Sequence, residues 1–351
     1  DIRMLPAQTA WASPPAQAPA EEGHVEVGGA KLWYWDTGGD GEPVVFVHPN
    51  SGSALFWKYQ QPVLVDAGYR VIAYSRRGHY GSEVGDEAQP GTAVDDLYQL
   101  LEHAGVDSFH LVGIAAGADV VPDFAISYPD RLLTLTIGST IGKPGDPAYR
   151  ASDPTLLPRE FRALPTDLKE LSPAYRAGNP EGAQEWRELA EISRSERVPI
   201  RAKNAVTPEL IADIDVPTLL FTGDSDLYMP PARLRAYASY WRDPEIAIFR
   251  ESGHAPYWEQ PHAFNALLLW FLSRDPADFQ ADDIAAMGDV MMSASPQEAR
   301  TFGDREIEIT WLPAQTSWEP LPPQAPVTEG FVDVDGVRLW YWDTGGDGTP
   351  V

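Results

Sequence analysis

The sequence predicts an α/β fold whose sheet is mostly parallel and carries helices on both faces. Short apolar runs, among them Phe109 to Ile114 and Leu132 to Gly138, alternate along the chain with amphipathic patterns such as Asp95 to His103. Residues with ionisable side chains, which can act as acids or bases, follow several of these runs. Strands that alternate with helices at this interval form parallel sheets buried between two helical layers.

The strand at Phe109 to Ile114 runs directly into a turn framed by glycines. The segment LVGIAAGA at residues 111–118 has the frame Gly-x-Ser-x-Gly of a nucleophile elbow, but Ala115 occupies the nucleophile position. Gly113 and Gly117 fit such an elbow because a side chain at either position collides with the strand or the helix. The frame alone is also typical of a glycine-rich turn in any α/β protein, so it needs support from other residues.

An acid and a histidine follow later strands in the order of a catalytic triad. The predicted strand Pro217 to Thr222 leads to Asp224 and Asp226, and the predicted strand Glu245 to Arg250 leads to His254. Imidazole titrates near neutral pH, so His254 suits the role of a general base, and an aspartate beside it stabilises the imidazolium. A turn histidine and a helix cap are the alternative explanations, but the order of the three positions favours a triad.

These motifs resemble the α/β-hydrolase superfamily over about residues 24 to 273. The resemblance implies an α/β-hydrolase fold, with a helical cap inserted over the active site. It favours Asp226 over Asp224 as the triad acid, because the family's Gly-x-x-Asp pattern matches Gly223 and Asp226. The expected catalytic positions are therefore Ala115, Asp226 and His254.

The resemblance also places an oxyanion hole after the predicted strand at residues 43–48. The residues HPNSG at 48–52 stand where many members of the family carry His-Gly and a variable residue. By that resemblance the backbone N–H groups of Asn50 and Ala116 face the developing oxyanion. Pro49 departs from the usual glycine.

Two neighbouring features fit the same fold. His48 is interpreted as a structural side chain at a strand end, since nothing in the sequence pairs it with a reactive group. The segment RRGHYGS at residues 76–82 resembles the family's Asp-x-Arg-Gly-x-Gly-x-Ser turn, with Ser75 in place of the aspartate and Tyr80 in place of the second glycine.

A helical cap is expected at about residues 143–213, where prolines and charges are frequent and Glu181 to Ile192 reads as a helix. It lies between two predicted strands, at the place where the superfamily inserts its caps, and a cap excludes water from the site. Ser51 and Trp258 are predicted to line the substrate pocket. The aromatic content near the site favours a small apolar substrate.

The composition limits the partners and the chemistry. The chain has 351 residues and a formal net charge of -26, which disfavours nucleic acid and anionic membranes as partners. It contains no cysteine, which rules out disulfides and thiolate catalysis, and its His, Asp and Glu residues show no zinc-ligand spacing. We expect neither metal nor cofactor. No apolar run approaches the length of a membrane span and no leader opens the chain, so a soluble protein of unassigned compartment is expected.

The two ends of the chain repeat each other. Residues 1–44 align without a gap onto residues 308–351, and 28 of the 44 positions are identical. This predicts four parts: a Pro/Ala-rich linker (1–22), the hydrolase domain (23–274), a second linker with a helical candidate at Ala281 to Met292 (275–326), and the start of a second hydrolase-like repeat (327–351). We expect a tandem array, with residues 331–344 able to exchange strands with the adjacent repeat or with another chain.

Several functions are compatible with an alanine in the elbow. The favoured one is a serine hydrolase of esterase, lactonase or amidase type that Ala115 inactivates. An aspartate-nucleophile dehalogenase or epoxide hydrolase is disfavoured, because such enzymes usually place tryptophan where Ala116 stands, although Asn50 has a counterpart in dehalogenases. A pseudoenzyme or binding module, and a cofactor-free oxygenase or lyase that uses only the His-Asp pair, remain open.

Overall fold

The computed structural model describes residues 2–11, 13–86, 90–140, 144–150, 157, 159–194, 196, 198–199, 201–273, 297–302, 305–310, 326–343 and 345. They belong to two compact units, Asp1–Ser295 and Pro296–Val351.

The first unit is built on a nine-stranded sheet with the order β1-β9-β8-β7-β6-β4-β5-β3-β2. All neighbouring strands from β1 to β5 in this order run parallel, and the two remaining pairs at the other edge, β5–β3 and β3–β2, are antiparallel. The strands are β1 (Ile2–Leu5), β2 (Glu21–Val27), β3 (Ala30–Asp36), β4 (Pro43–Val47), β5 (Arg70–Tyr74), β6 (Phe109–Ile114), β7 (Leu132–Gly138), β8 (Thr218–Gly223) and β9 (Glu245–Phe249).

The edge strand β1 differs from the prediction that residues 1–22 are a linker. Ile2–Leu5 pair in parallel with residues 246–249 of β9, and Arg3 forms an ion pair with Glu245. A segment of four residues before a proline is too short to show a strand period, so this pairing could not be predicted from the sequence. Residues 13–20 do lack regular structure, in keeping with the linker prediction for that part.

Helices cover both faces of the sheet. Those described are α1 (Gln61–Asp66), α2 (Ala93–His103), α3 (Val121–Ser127), α4 (Pro147–Arg150), α5 (Thr166–Glu170), α6 (Pro173–Gly178), α7 (Pro180–Ser193), α8 (Pro208–Ala212), α9 (Pro231–Ala238), α10 (Pro256–Glu259) and α11 (Pro261–Ser273), with 3₁₀ segments at Ala54–Trp57, Gly117–Asp119, Pro129–Arg131 and Arg159–Ala163.

The core has two halves, one on each face of the sheet. One half includes Leu64 of α1 and Phe264 of α11, and the other includes Leu97 of α2 and Phe124 of α3. Every residue of β6 and β8 is buried, which explains why their sequences are mostly apolar rather than alternating. The predicted α/β-hydrolase fold, with a mostly parallel sheet and helices on both faces, is confirmed.

Helices α4 to α8 lie between β7 and β8, in the segment where the sequence predicts a cap. Helix α7 extends the predicted helix Glu181 to Ile192 by one residue at each end, and the Asn179 side chain caps it by accepting from Gly182 N–H at 3.0 Å. Across the described residues, no helix is long and apolar enough to cross a membrane.

The second unit contains two hairpins, β10 (Gln297–Phe302) with β11 (Arg305–Thr310), and β12 (Thr328–Val334) with β13 (Val337–Asp343). The second hairpin repeats β2–β3 residue for residue, since Thr328 pairs with Asp343 as Glu21 pairs with Asp36. The helix predicted at Ala281 to Met292 lies outside the described residues.

Candidate active site

The turn after β6 holds Ala115 in an unusual backbone conformation. Its φ is +52°, in the left-handed region, which is unfavourable for a residue with a Cβ and costs about 1–2 kcal/mol. The Ala115 N–H donates to the carbonyl of Gly138 at 2.9 Å, and the Ala115 carbonyl accepts from Ala118 N–H at 3.0 Å. The surrounding structure therefore imposes a sharp strand-to-helix turn with residue 115 at its apex.

The two framing glycines are required by close packing. A Cβ on Gly113 would lie 2.6 Å from a methyl group of Val121, and a Cβ on Gly117 would lie 2.1 Å from the carbonyl oxygen of Val47. The sequence frame thus marks two contacts that admit only glycine, as expected for an elbow.

The acid and the histidine predicted from the sequence lie in direct contact. The Asp226 oxygens lie 2.8 and 2.9 Å from Nδ1 of His254. Asp226 follows β8 and His254 follows β9, and both strands run parallel to β6, so all three positions lie at the carboxyl edge of the sheet. Asp224 contacts the Ser225 hydroxyl instead.

Asp226 is held as a carboxylate by several donors. It accepts hydrogen bonds from the backbone N–H groups of Tyr228 at 2.8 Å and Met229 at 3.0 Å, and from the Thr222 hydroxyl at 3.0 Å. Burial alone would raise its pKa, but His254 and these donors outweigh burial and lower it. The sequence offered no sign of these donors.

His254 is poised as a base. Because Nδ1–H donates to Asp226, the other ring nitrogen, Nε2, is left to accept a proton. Burial disfavours the imidazolium, but the negative charges of Asp226, Glu170 and Glu259 raise the pKa of His254 above its usual value. The aromatic ring of Tyr228 covers the imidazole at 4.5 Å between centroids.

Two glutamates that the sequence analysis missed support the loop of His254. Glu259 is fully buried and accepts from the backbone N–H groups of Ser172, Gly253 and Ala255, while burial raises its pKa to about 7. The carbonyl of Glu170, at the end of α5, accepts from the His254 N–H at 2.7 Å. The helical insertion between β7 and β8 thus packs directly on the histidine loop.

Ser51 lies where the cap meets the loop after β4. Its hydroxyl donates to Oε2 of Glu170 at 2.5 Å, and burial raises the pKa of Glu170. This contact brings the predicted pocket residue Ser51 to the same cap residue that holds the His254 loop.

The predicted oxyanion donors are free of other hydrogen bonds within the described part of the chain. Neither the Asn50 N–H nor the Ala116 N–H donates to a described group, whereas the carbonyl of Asn50 lies 3.3 Å from His79 Nε2. His48 is structural, as the sequence predicted: it is fully buried, its Nε2 accepts from the Arg76 N–H, and burial lowers its pKa well below the usual value.

Trp258 does not line the pocket rim as predicted. Its side chain has no exposed surface, packs against the rings of Phe56 and Tyr59, and donates its indole N–H to the Gly182 carbonyl at 3.3 Å. Closeness to His254 in sequence was misleading, because Trp258 lies on the short helix α10, and its ring packs between the cap helix α7 and the segment after β4.

The described residues contain no group of three His, Asp, Glu or Cys side chains arranged to hold a metal ion. The residues assembled at the site are a base, a paired carboxylate and backbone donors around an apex residue. Residues 44–267, more than half of the chain, match the model of the α/β-hydrolase family. The chain belongs to this family.

Two relatives of this α/β-hydrolase bear the names of hydrolases. It is 27% identical to the 2-hydroxy-6-oxononadienedioate/2-hydroxy-6-oxononatrienedioate hydrolase of Klebsiella pneumoniae, over 67% of this chain and 89% of the relative. It is 26% identical to the 2-hydroxy-6-oxo-6-phenylhexa-2,4-dienoate hydrolase of Comamonas testosteroni, over 69% of this chain and 91% of the relative.

Solved structures agree on the fold. A thermophilic esterase from Thermogutta terrifontis superposes with a TM-score of 0.60 at 26% identity, covering 72% of this chain and 98% of the esterase. The enol-lactonase from Burkholderia xenovorans superposes with a TM-score of 0.57 over 72% of this chain and 100% of its own. Because the enol-lactonase is only 20% identical to this chain, its similarity shows the fold alone.

Proposed function

We propose that this α/β-hydrolase is of the esterase, lactonase or amidase type and that Ala115 stands at the position of its serine nucleophile. On this proposal the chain binds a small apolar substrate and leaves it uncleaved, because a methyl group cannot attack a carbonyl. One observation carries the proposal: Ala115 keeps the strained elbow conformation while Asp226 and His254 stay assembled. The esterase relative supports the same chemistry.

The test is the change Ala115→Ser. Loss of the triad serine costs about 10⁶ in turnover in a well-studied hydrolase, so restoring the hydroxyl should produce a gain of that order. We expect hydrolysis of p-nitrophenyl esters and small lactones, and labelling of residue 115 by a fluorophosphonate, read by peptide mass spectrometry. Ala115→Gly is the matched control, since it relieves the backbone strain without adding a nucleophile, and it should stay inert.

Other outcomes would point elsewhere. An inert, unlabelled Ala115→Ser variant together with an Ala115→Asp variant active on haloalkanes or epoxides would establish an aspartate nucleophile. If both variants are folded and inert but the chain binds ester analogues, the pseudoenzyme or binding-module function replaces the proposal.

The restored enzyme should have a pH profile set by His254. Only neutral imidazole accepts the proton of the serine, so activity should rise with pH as His254 loses its proton. Because Asp226 and its acidic neighbours raise the pKa of His254, the midpoint should lie above 6.5. Initial rates across pH 5 to 9 give the midpoint, and one below 6.5 would contradict the assigned base.

The choice of acid has its own test in the Ala115→Ser background. Asp226→Asn should lower turnover on the order of 10⁴, by analogy with serine proteases, because it disturbs the tautomer of His254. Asp224→Asn is the matched control and should cost far less, since its contact is to Ser225. A larger loss in the Asp224 variant would reverse the assignment.

A second candidate, acid-base catalysis without a nucleophile, rests on Glu170. Burial raises the pKa of this cap carboxyl, and it shares the site with the base His254. A lyase or a cofactor-free oxygenase needs a base such as His254. The chain with Ala115 unchanged would then exchange the acidic α-hydrogens of a β-diketone for deuterium, as followed by NMR, and Glu170→Gln would abolish the exchange.

We also infer that residues 308–351 begin a second unit of the same kind. Within the first unit, the Gln8 side chain accepts from the His262 N–H, the Trp11 indole donates to the Glu259 carbonyl, and the Gln17 side chain donates to the Lys58 carbonyl. The residues found 307 positions after Gln8, Trp11 and Gln17 are identical to them, although nearby positions differ. The repeat thus keeps the side chains that dock such a segment on a hydrolase domain.

A further inference from the structure

The N-terminal segment crosses the cap between two anchors. At one end β1 pairs with β9, and the Leu5 carbonyl accepts from the Arg250 N–H at 3.1 Å. At the other end the backbone of Ala18 and the side chain of Gln61 exchange hydrogen bonds of 2.8 and 2.7 Å. Trp11 lies between these anchors, in a segment to which the proposed function gives no role.

Trp11 joins two helices from different parts of the domain. Its indole N–H donates to the carbonyl of Glu259, in α10, at 2.8 Å. Its ring meets the ring of Tyr175, in the cap helix α6, edge to face at 5.5 Å between centroids. It also packs on Gly178 of the same helix, where a Cβ would lie 2.9 Å from the indole. Trp11 thus holds the cap against the helix that follows the His254 loop.

The side chain of Glu259 extends this connection towards the base. Its Oε2 accepts at 2.7 Å from the N–H of Ser172, the residue that caps α6, and its Oε1 accepts from the Gly253 N–H at 2.9 Å. One carboxylate therefore joins the cap to the residue before His254. Because this carboxylate is fully buried, both hydrogen bonds are costly to break.

The same junction fixes the backbone of His254. Its N–H donates to the carbonyl of Glu170, in the cap, at 2.7 Å. The packing is close, since a Cβ on Gly253 would lie 2.7 Å from that carbonyl oxygen and 2.8 Å from the nitrogen of Ser172. Movement of the cap away from α10 therefore lengthens the hydrogen bond that holds His254.

We propose that Trp11 is a positioning residue for His254, because it holds the cap against α10 and so fixes the loop that carries the base. Displacement of the N-terminal segment then loosens this loop and leaves the sheet intact. The role of His254 as a base rests on the function proposed above, but the series of contacts from Trp11 to its backbone does not. A tryptophan also stands 307 positions later, at Trp318, so we expect the same role for the segment before the second unit.

The experiment measures hydrogen exchange in the full chain with Ala115 unchanged, by peptide mass spectrometry at pH 8. In Trp11→Ala, residues 170–176 and 251–256 should exchange about tenfold faster or more, because a ring contact and a hydrogen bond are lost. Peptides from β6 and β8 should exchange as they do in the unchanged chain.

Two further variants of the segment sharpen this result. Trp11→Phe keeps a ring for Tyr175 but has no donor for the Glu259 carbonyl, so its effect should be smaller than that of Trp11→Ala. Gln17→Ala is the matched control, since this residue of the same segment donates to the Lys58 carbonyl. It should leave exchange in the cap and in the His254 loop unchanged.

Another variant tests whether Trp11 acts through Glu259. The carboxyl of Glu259 has a pKa of about 7, so it is ionised at pH 8. An amide keeps one acceptor oxygen, and Glu259→Gln therefore loses the contact with either the cap or the loop. It should speed exchange of residues 251–256 as Trp11→Ala does, and the double variant should exchange little faster than either single variant.

Four results would overturn the proposal. They are unchanged exchange of residues 251–256 in Trp11→Ala, equal acceleration in β6 and β8, an equal effect of Gln17→Ala, and additive effects of Trp11→Ala and Glu259→Gln. The second would make Trp11 a contributor to global stability alone, and the fourth would show two separate paths. None of these measurements needs turnover, so an inert Ala115→Ser variant would overturn the proposed function and leave the positioning role to be decided by exchange.

Discussion

The hairpins β2–β3 and β12–β13 have nearly the same sequence and the same register but different surroundings. Leu32 and Trp33 are 0% and 7% exposed, whereas their counterparts Leu339 and Trp340 are 47% and 55% exposed. Both hairpins turn through two residues with positive φ, so the turn and the alternation are enough to form the hairpin. The apolar face is buried only in the first hairpin, where β3 pairs with β5 and joins the large sheet.

The largest expected difference between the two hairpins concerns their buried leucines. Leu32→Ala should lower the free energy of unfolding of the first unit by about 2–5 kcal/mol, because it leaves a cavity in the core. The matched change Leu339→Ala should alter it by less than about 0.5 kcal/mol, since that side chain is half exposed. Guanidinium titration followed by tryptophan fluorescence measures both. Equal losses would show that Leu339 is buried in solution.

A smaller difference is expected at the aspartates that end the hairpins. Each accepts a local N–H, Asp36 from Gly38 at 2.8 Å and Asp343 from Gly345 at 2.7 Å. Asp36 also pairs with Arg70, whose Nε donates at 3.0 Å. Asp36→Asn should therefore cost about 1–3 kcal/mol, because it weakens a mostly buried charged pair.

Asp343→Asn is the control and should change stability by less than about 0.5 kcal/mol. Thermal unfolding of the two variants side by side makes the comparison. If Asp36→Asn proves as mild as Asp343→Asn, the ion pair with Arg70 contributes no stability.

The smallest effect on stability is expected from removing the second copy. Deletion of residues 309–351 should leave the unfolding midpoint of the first unit unchanged, because the nine-stranded sheet is complete without them. It should also abolish any concentration-dependent association, since it removes the exposed Phe331, Val332 and Trp340. Sedimentation velocity and calorimetry test both statements. A loss of cooperative unfolding would refute the inferred boundary between the units.

Local patterns in the sequence predicted the central sheet and the contact between Asp226 and His254 well. Mostly apolar runs predicted the bounds of β6 and β7 correctly, and the glycine frame located the apex at Ala115, because these features depend on neighbours in sequence. Contacts between segments that are far apart in the sequence could not be predicted from it. Glu170 and Glu259 look like ordinary helix residues, and only the fold brings them to the His254 loop.

Errors arose where a residue was judged by closeness in sequence. Trp258 lies four positions after His254, yet the direction of its side chain is set by the packing of α10 between the cap and the sheet. Ile2–Leu5 were assigned to a linker because their strand partner, β9, lies at the far end of the domain. Neither fact is encoded in a local pattern.

The pairing of β1 with β9 has a consequence for synthesis of the protein. Arg3 and Glu245 are 242 positions apart, so the first strand leaves the ribosome long before its partner exists. At about 5–20 residues per second, that wait lasts on the order of 10 s or more. During this time β1 is an unpaired edge, and in an array of similar units the β1 at the edge of a preceding, finished sheet would be the nearest partner available to it. Correct assembly would then depend on the connecting segment being too short, or too firmly docked, to let β1 reach the wrong sheet.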